Sequence, residues 1–260
     1  MNSLAQPHKW EKFLWPLLAL AVFLALWHYS VVWTATKVFP APLAVLKGIA
    51  ELSRKGLLWA YIGDSLRRVA LGFGAAAAVG IPLGLTLGWY PAINQVVNPV
   101  MQMLRPISPL AWIPVAIVLF GVGETTAVFL IFLSALFPIV VACISGVAGV
   151  PAIFRRAGRN FGLAPGQLLA KVVFPAALPQ IIIGLRIALG IAWLVVVAAE
   201  MIAVDSGLGY LVIDARNSGK RYDLVVAAML LIGVIGLALD LCFRRLRDIK
   251  SVRWGFRDES

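Results

Sequence analysis

The chain has 260 residues, of which 61% are hydrophobic and only 13% charged, with a mean hydropathy of +0.92. A soluble domain carries about 25% charged residues, so these values exclude a water-soluble globular protein and indicate one membrane domain over residues 1–260. The net charge of +11 does not indicate a nucleic-acid binder, because the basic residues flank apolar runs and do not alternate with aromatics on a polar surface.

About 20 apolar residues cross the hydrocarbon core of a bilayer as a helix. Six runs come close to or exceed that length, which predicts an all-α, polytopic membrane helix bundle. The first covers Phe13–Trp33 and follows Lys9 and Lys12. Its apolar stretch exceeds the ~7–15 residues of a signal-peptide core, so it is expected to be retained. His28, near its outer end, is expected to hydrogen-bond a neighbouring helix. Residues 39–66 form an outer connection opened by Pro40 and Pro42. Leu43, Leu46, Ile49, Ala50 and Leu57 sit there near helical spacing, which fits either an interfacial helix or one packed on the bundle.

The second run, Val69–Trp89, places Gly72, Ala76, Gly80, Gly84 and Gly88 at four-residue intervals. At 3.6 residues per turn these form one narrow stripe of small side chains, which predicts close approach of another helix. The third run, Ile107–Gly123, is interrupted by Pro109 and Pro114 and preceded by Pro106. Proline removes a backbone donor and bends a helix, and broken membrane helices line cavities; Pro109 and Trp112 are therefore pathway candidates. The fourth run is Ala127–Val150. The fifth, Ile181–Val204, repeats the small-residue theme at Gly184, Ala188 and Ala192 and contains Arg186 and Glu200. Ionisable groups inside a span are costly and by default functional, so Glu200 and Arg186 join the pathway candidates, although Arg186 lies close enough to the inner end to snorkel. The sixth run, Leu224–Phe243, contains Asp240 four residues before Arg244, the spacing of an intrahelical ion pair. Cys143 and Cys242 fall inside apolar runs without His or Cys at ligand spacing, so they are expected to be buried bystanders, with no metal site.

With six spans and the N-terminus inside, thirteen Lys and Arg residues (among them Arg105, Arg155, Arg156, Arg159, Lys171, Arg244 and Arg245) fall on the cytoplasmic side and nine on the other. The positive-inside rule then favours both termini in the cytoplasm. The stretch Pro151–Pro179 is the long inner connection. Pro151 opens a helix on which Phe154, Ala157, Gly158 and Phe161 form an apolar face, opposite Arg155, Arg156 and Arg159. Gly162 is placed to end it in the left-handed conformation. Pro165 starts a second short helix that Pro175 and Pro179 are expected to close. This helix–turn–helix offers apolar and basic faces without an obvious partner inside the chain; an anchor on anionic lipid would also account for it.

The spacing of this loop resembles the cytoplasmic signature of the permease subunits of binding-protein-dependent ATP-binding-cassette (ABC) importers, Glu-Ala-Ala, three residues, Gly, nine residues, Ile-x-Leu-Pro. Arg156, Ala157 and Gly158 occupy the triplet, Gly162 the glycine, and Val172-Val173-Phe174-Pro175 the closing element. Arg156 departs from the Glu and Gly158 from the second Ala. The resemblance extends over residues 40–245: Phe39-Pro40-Ala41-Pro42, Arg105-Pro106-Ile107-Ser108-Pro109-Leu110-Ala111-Trp112-Ile113-Pro114, Phe120-Gly121-Val122-Gly123-Glu124, Ala199-Glu200-Met201 and Gly207-Leu208-Gly209-Tyr210 are similar to the branch importing sulfonates, taurine and nitrate.

The resemblance implies an ABC importer permease-like fold in which residues 151–180 form a coupling loop. It further implies two permease copies in a bacterial inner membrane, two cytoplasmic ATPases that hold ATP and magnesium, and an external substrate-binding protein. The chain contains no Gly-x-x-x-x-Gly-Lys-Ser/Thr phosphate loop, so this chain is expected to bind no cofactor and to be no enzyme itself. Two other classes compete. A membrane-embedded enzyme needs a catalytic constellation, and His28, Glu200 and Asp240 lie on different spans; a lipid-binding scaffold would explain the basic tail from Arg244 to Arg257 but not the loop spacing.

Overall fold

The computed structural model describes residues 11–34 and 39–246. Lys9, Lys37 and the tail from Arg247 to Arg257 lie outside the described residues. Among the described residues all regular structure is helical. Helix α1 (Glu11–Thr34) carries the first span and α2 (Pro42–Arg54) the outer connection, followed by α3 (Leu57–Trp89), α4 (Pro91–Leu104) and α5 (Ile113–Phe120). Next come α6 (Glu124–Ala148), α7 (Ala152–Asn160), α8 (Pro165–Leu168), α9 (Phe174–Ala203), α10 (Leu208–Asn217) and α11 (Tyr222–Leu246). Five segments are long and apolar enough to cross a membrane, and a sixth crossing exists if α4 and α5 count as one bent span.

The bundle is assembled on the small-residue stripe of α3. Gly72 lies against Ile131, Gly80 against Ile139, Gly84 against Cys143 and Gly88 against Val147. The partners ascend α6 in the same order, so α3 and α6 run parallel in direct backbone contact. A Cβ built at Gly84 would stand 2.7 Å from the Val140 carbonyl oxygen, which only glycine avoids. On its other side α6 meets α9 antiparallel: Gly184 faces Ala142, and Gly146 faces Ala177. Lipid provides no hydrophobic drive between spans, so the van der Waals contacts of this close packing hold the core. Ala76, Ile131, Ala135, Cys143, Ala188, Ala192 and Val196 are among its fully enclosed members.

The structure corrects several sequence-based expectations. The third span is not one helix. Residues 91–104, too rich in Asn and Gln to register as apolar, form α4, and after a break a 3-10 turn (Pro109–Trp112) leads into α5, bent by 83° from α4. Helix α3 starts at Leu57, not near Val69, and its two arginines find partners, Arg67 in Glu124 and Arg68 in Glu200. At about 1.5 Å per residue, its 33 residues extend about 50 Å, well beyond a bilayer core. Helix α2 packs on the bundle through Val45, Gly48 and Leu52, with Gly48 against Leu224, and leaves Leu43, Leu46 and Ala50 exposed. His28 is exposed and stacks edge-on to Tyr29 without joining a neighbouring helix; Trp27 makes that tie instead, its indole N–H donating to the Pro40 carbonyl at 3.2 Å. Cys143 is buried, whereas Cys242 is exposed. Pro175 and Pro179 do not close a short helix: a π-helical turn (Leu169–Val173) joins α8 to α9, with Pro175 in the first turn of α9 and Pro179 inside it.

Candidate functional site

Three regions carry the residues singled out by sequence, and they lie at different heights of the bundle. At one end, α7 is terminated by a Schellman motif. The Leu163 N–H donates to the Gly158 carbonyl at 3.1 Å, the Gly162 N–H to that of Arg159 at 2.9 Å, and Gly162 has a φ of 75°. The glycine thus ends the helix as its spacing predicts. Gly158 is the one member of the expected apolar face that packs inward, because a Cβ there would meet the Leu168 side chain. Ala157 is exposed, Phe154 is 45% exposed and Phe161 86%; Ile153, which sequence reasoning passed over, is 70% exposed. Arg156 and Arg159 are exposed, Arg155 is half-buried, and none of the three has a carboxylate partner among the described residues. Two aromatic rings and an isoleucine therefore project from a short, rigidly terminated helix flanked by guanidinium groups. The loop's base is firm: Leu168, Val173 and Val150 are buried at the foot of α6 and α9.

At the opposite end sits a buried polar cluster. Arg68 of α3 donates from Nη1 to Glu200 Oε1 of α9 at 2.7 Å and to the Ser206 carbonyl at 2.9 Å, and from Nη2 to Ser206 Oγ at 2.6 Å. Ser65 Oγ donates to Glu200 Oε2 at 2.9 Å and accepts from the Leu208 N–H at 3.0 Å; the Gly209 N–H donates to Glu200 Oε2 at 2.9 Å. Glu200 is fully buried and Arg68 nearly so. The corner between α9 and α10 wraps the carboxylate so tightly that a Cβ on Gly207, at φ 103°, would collide with it. Glu200 thus ties α3, α9 and α10 together and borders neither of the cavities described below. Its span was legible from sequence; its partner Arg68 was not, because that residue reads as the charged flank of the next apolar run. Further ion pairs stand at this end, among them Arg67 with Glu124 at 2.6 Å and Arg221 with Glu51 at 2.7 Å.

Arg186 does not snorkel alone. Its Nη2 donates to Asp240 Oδ2 of α11 at 2.9 Å, and Asp240 also accepts from Arg244 at 3.0 Å, the intrahelical pair expected from spacing. Half-exposed pairs of this kind join α9 to α11. His28, Glu200 and Asp240 are not brought together: each meets different partners.

The third region is the break between α4 and α5. One cavity of about 270 Å³ is lined by Arg105, Pro109, Trp112, Ser134, Phe137 and Ile191. A second, of about 630 Å³, is lined by Asn94, Asn98, Gln102, Arg105 and Ser145. Pro109 and Trp112 therefore face a cavity at the level of mid-α6. Proline breaks the helix where backbone groups are satisfied locally: Ser108 Oγ accepts from the Leu110 N–H at 3.3 Å.

Comparison with known proteins agrees with this arrangement. Residues 80–253 match the family described as binding-protein-dependent transport system inner membrane component. The chain is 46% identical over 185 residues to a putative ABC transporter permease protein of Methanocaldococcus jannaschii, covering 71% of this chain and 69% of that one. It is 37% identical to the nitrate import permease protein of Synechocystis sp. (86% and 84% covered) and 34% identical to the taurine transport system permease protein of Escherichia coli K12 (92% and 91% covered). Among solved structures, the inward-facing MetNI methionine ABC transporter superposes with a TM-score of 0.65 at 20% sequence identity, over 75% of this chain and 96% of that one, which is a likeness of fold. The chain belongs to the family of inner membrane components of binding-protein-dependent transport systems, the permease subunits of ABC importers.

Proposed function

We propose that this permease imports a small oxyanion of the nitrate, taurine or bicarbonate kind, and that α7 is the helix through which a partner ATPase drives it. The relatives named for nitrate and taurine, together with a bicarbonate transport permease of Synechococcus elongatus that is 36% identical over 89% of this chain, support the cargo class. The uncovered face of α7 carries the coupling reading. Among the described residues Phe161 and Ile153 are largely uncovered and Phe154 is half-exposed, and an exposed aromatic cluster beside Arg156 and Arg159 suits a groove with apolar walls and an acidic rim. Arg156 stands where the family's signature has Glu, so the partner's groove is expected to present an acid there. Two copies of this chain would enclose the pathway. Two ATPases would hold ATP and magnesium on the cytoplasmic side, and a binding protein would deliver substrate to the end formed by α2 and α10. Both termini then lie in the cytoplasm.

Coupling requires the α7 contact to differ between two states of the bundle, since a contact equal in both shifts nothing. Of the pathway candidates, Pro109 and Trp112 keep that role because they face the cavity at the break. Glu200 and Arg186 brace helices instead. The test is to tag the chain at its C-terminus, extract it gently from its native membrane and identify co-purifying proteins. An ATPase bearing a phosphate loop is expected with the wild type and lost with Phe154→Asp and Phe161→Asp. Retention by both variants, with the fold intact, overturns the assignment of α7.

A further inference from the structure

We propose that Arg105 is the oxyanion-binding residue of the translocation pathway, seated at its midpoint by the break between α4 and α5; the proposal rests on the permease reading above. Counting charges along the sequence places Arg105 on the inner side of the membrane. The structure places it deeper. Its backbone N–H donates to the Met101 carbonyl at 2.9 Å, so it prolongs α4, and the chain then turns by 83°. Its neighbours around the smaller cavity are Leu133, Ser134, Phe137 and Pro138 from the middle of α6 and Ile191 from the middle of α9.

Arg67, Arg68 and Arg186, the other arginines of the long helices α3 and α9, each have a carboxylate partner: Glu124, Glu200 and Asp240. Arg105 has none among the described residues. A cation at mid-depth is costly unless it faces a water-filled cavity or meets an anion there. Arg105 lines both cavities at the break, of about 270 and 630 Å³, and among the described residues no Asp or Glu lines either.

The remaining polar groups include donors for a hydrated anion: Asn98, Gln102 and Ser145 line the larger cavity with N–H and O–H groups, and the buried Asn94 Oδ1, an acceptor without a partner, is placed to take a hydrogen bond from the anion's water. The guanidinium is planar, permanently charged and able to give two parallel N–H donors to two oxygens of one ligand. Planar nitrate or bicarbonate and a tetrahedral sulfonate all present such an oxygen pair. Among the described residues of one copy no second Lys or Arg lines either cavity, so each copy offers the anion one fork.

The test uses the assembled importer, with its ATPase and binding protein, in proteoliposomes loaded with ATP. Uptake of radiolabelled nitrate, taurine and bicarbonate is measured alongside ATP hydrolysis stimulated by the binding protein. Arg105→Gln is expected to lower uptake about ten-fold or more, the scale of losing a hydrogen bond to a charged group, while stimulated hydrolysis is retained. Arg105→Cys in a Cys242→Ser background, treated with an ammonium-bearing methanethiosulfonate, is expected to regain uptake, and the neutral methyl reagent is not. Equal rescue by both reagents, or undiminished uptake by Arg105→Gln, overturns the proposal and leaves the permease reading standing. Loss of assembly or of hydrolysis in Arg105→Gln without rescue by charge shows a structural residue and also overturns it. If the wild type moves none of the three anions, the cargo class falls and this proposal falls with it.

Discussion

Gly84→Ala is the sharpest test of how the bundle is held. The added methyl would stand 2.5 Å from Cys143 Cβ, 2.7 Å from the Val140 carbonyl oxygen and 3.1 Å from Val140 Cα. Two of these three atoms are backbone, so no rotamer change relieves the clash. Restoring contacts of about 3.5 Å requires α3 and α6 to part by about 1 Å. Overpacking of this kind costs about 1–3 kcal/mol, and the parting also loosens the neighbouring contacts at Gly80 and Gly88. Gly74, on the same helix, is the control: a Cβ there meets nothing within 4 Å. Gly74→Ala is expected to be neutral or to stabilise by up to about 1 kcal/mol through helix propensity. The assay is reversible unfolding of the purified protein in mixed micelles titrated with a denaturing detergent. Gly84→Ala should unfold earlier than Gly74→Ala by a difference of about 1–4 kcal/mol. Two curves that coincide within about 0.5 kcal/mol would refute the parallel, backbone-contact packing of α3 on α6.

Two further outcomes follow from the charged clusters. Arg68→Ala leaves Glu200 buried without its cation and is expected to cost about 3–5 kcal/mol, of which Arg68→Met combined with Glu200→Leu should recover a large part; the same titration and the double-mutant cycle read this. Glu51, outside the spans, is held down at about 2 from its ordinary 4.5 by hydrogen bonds from Arg221 and then Lys55. A depressed carboxyl stabilises above its unfolded pKa and loses that contribution as pH falls toward the folded one. Docking of α2 is therefore expected to be constant from neutral pH to about 5 and to weaken below about 4.5. Hydrogen exchange along α2 measures this, and a profile unchanged by Glu51→Gln would contradict it.

Much of this molecule is legible in its sequence because a bilayer reduces the problem to runs of apolar residues. Five of the six expected crossings contain long helices at nearly the expected places, and the stripe of Gly72, Gly80, Gly84 and Gly88 announces a close helix partner. The α7 loop was legible as well, since Pro151, Gly162 and Pro165 punctuate it by local backbone chemistry.

Sequence alone thus determined the membrane class, the places of five long spans and the exposed loop, all of which depend on composition and on residues close together in the chain. Only the tertiary structure decided the rest. That α6 is the partner of the glycine stripe, that Arg68 is neutralised by Glu200, and that Arg186 meets Asp240 are pairings across more than fifty positions. The Asn- and Gln-bearing α4 enters the bundle with Asn94, Asn98 and Gln102 on a cavity, a placement that tertiary contacts decide. For the same reason Arg105 reads as an inner-flank charge by position, yet stands at mid-depth: its depth is set by the bend that follows it and by the helices on either side.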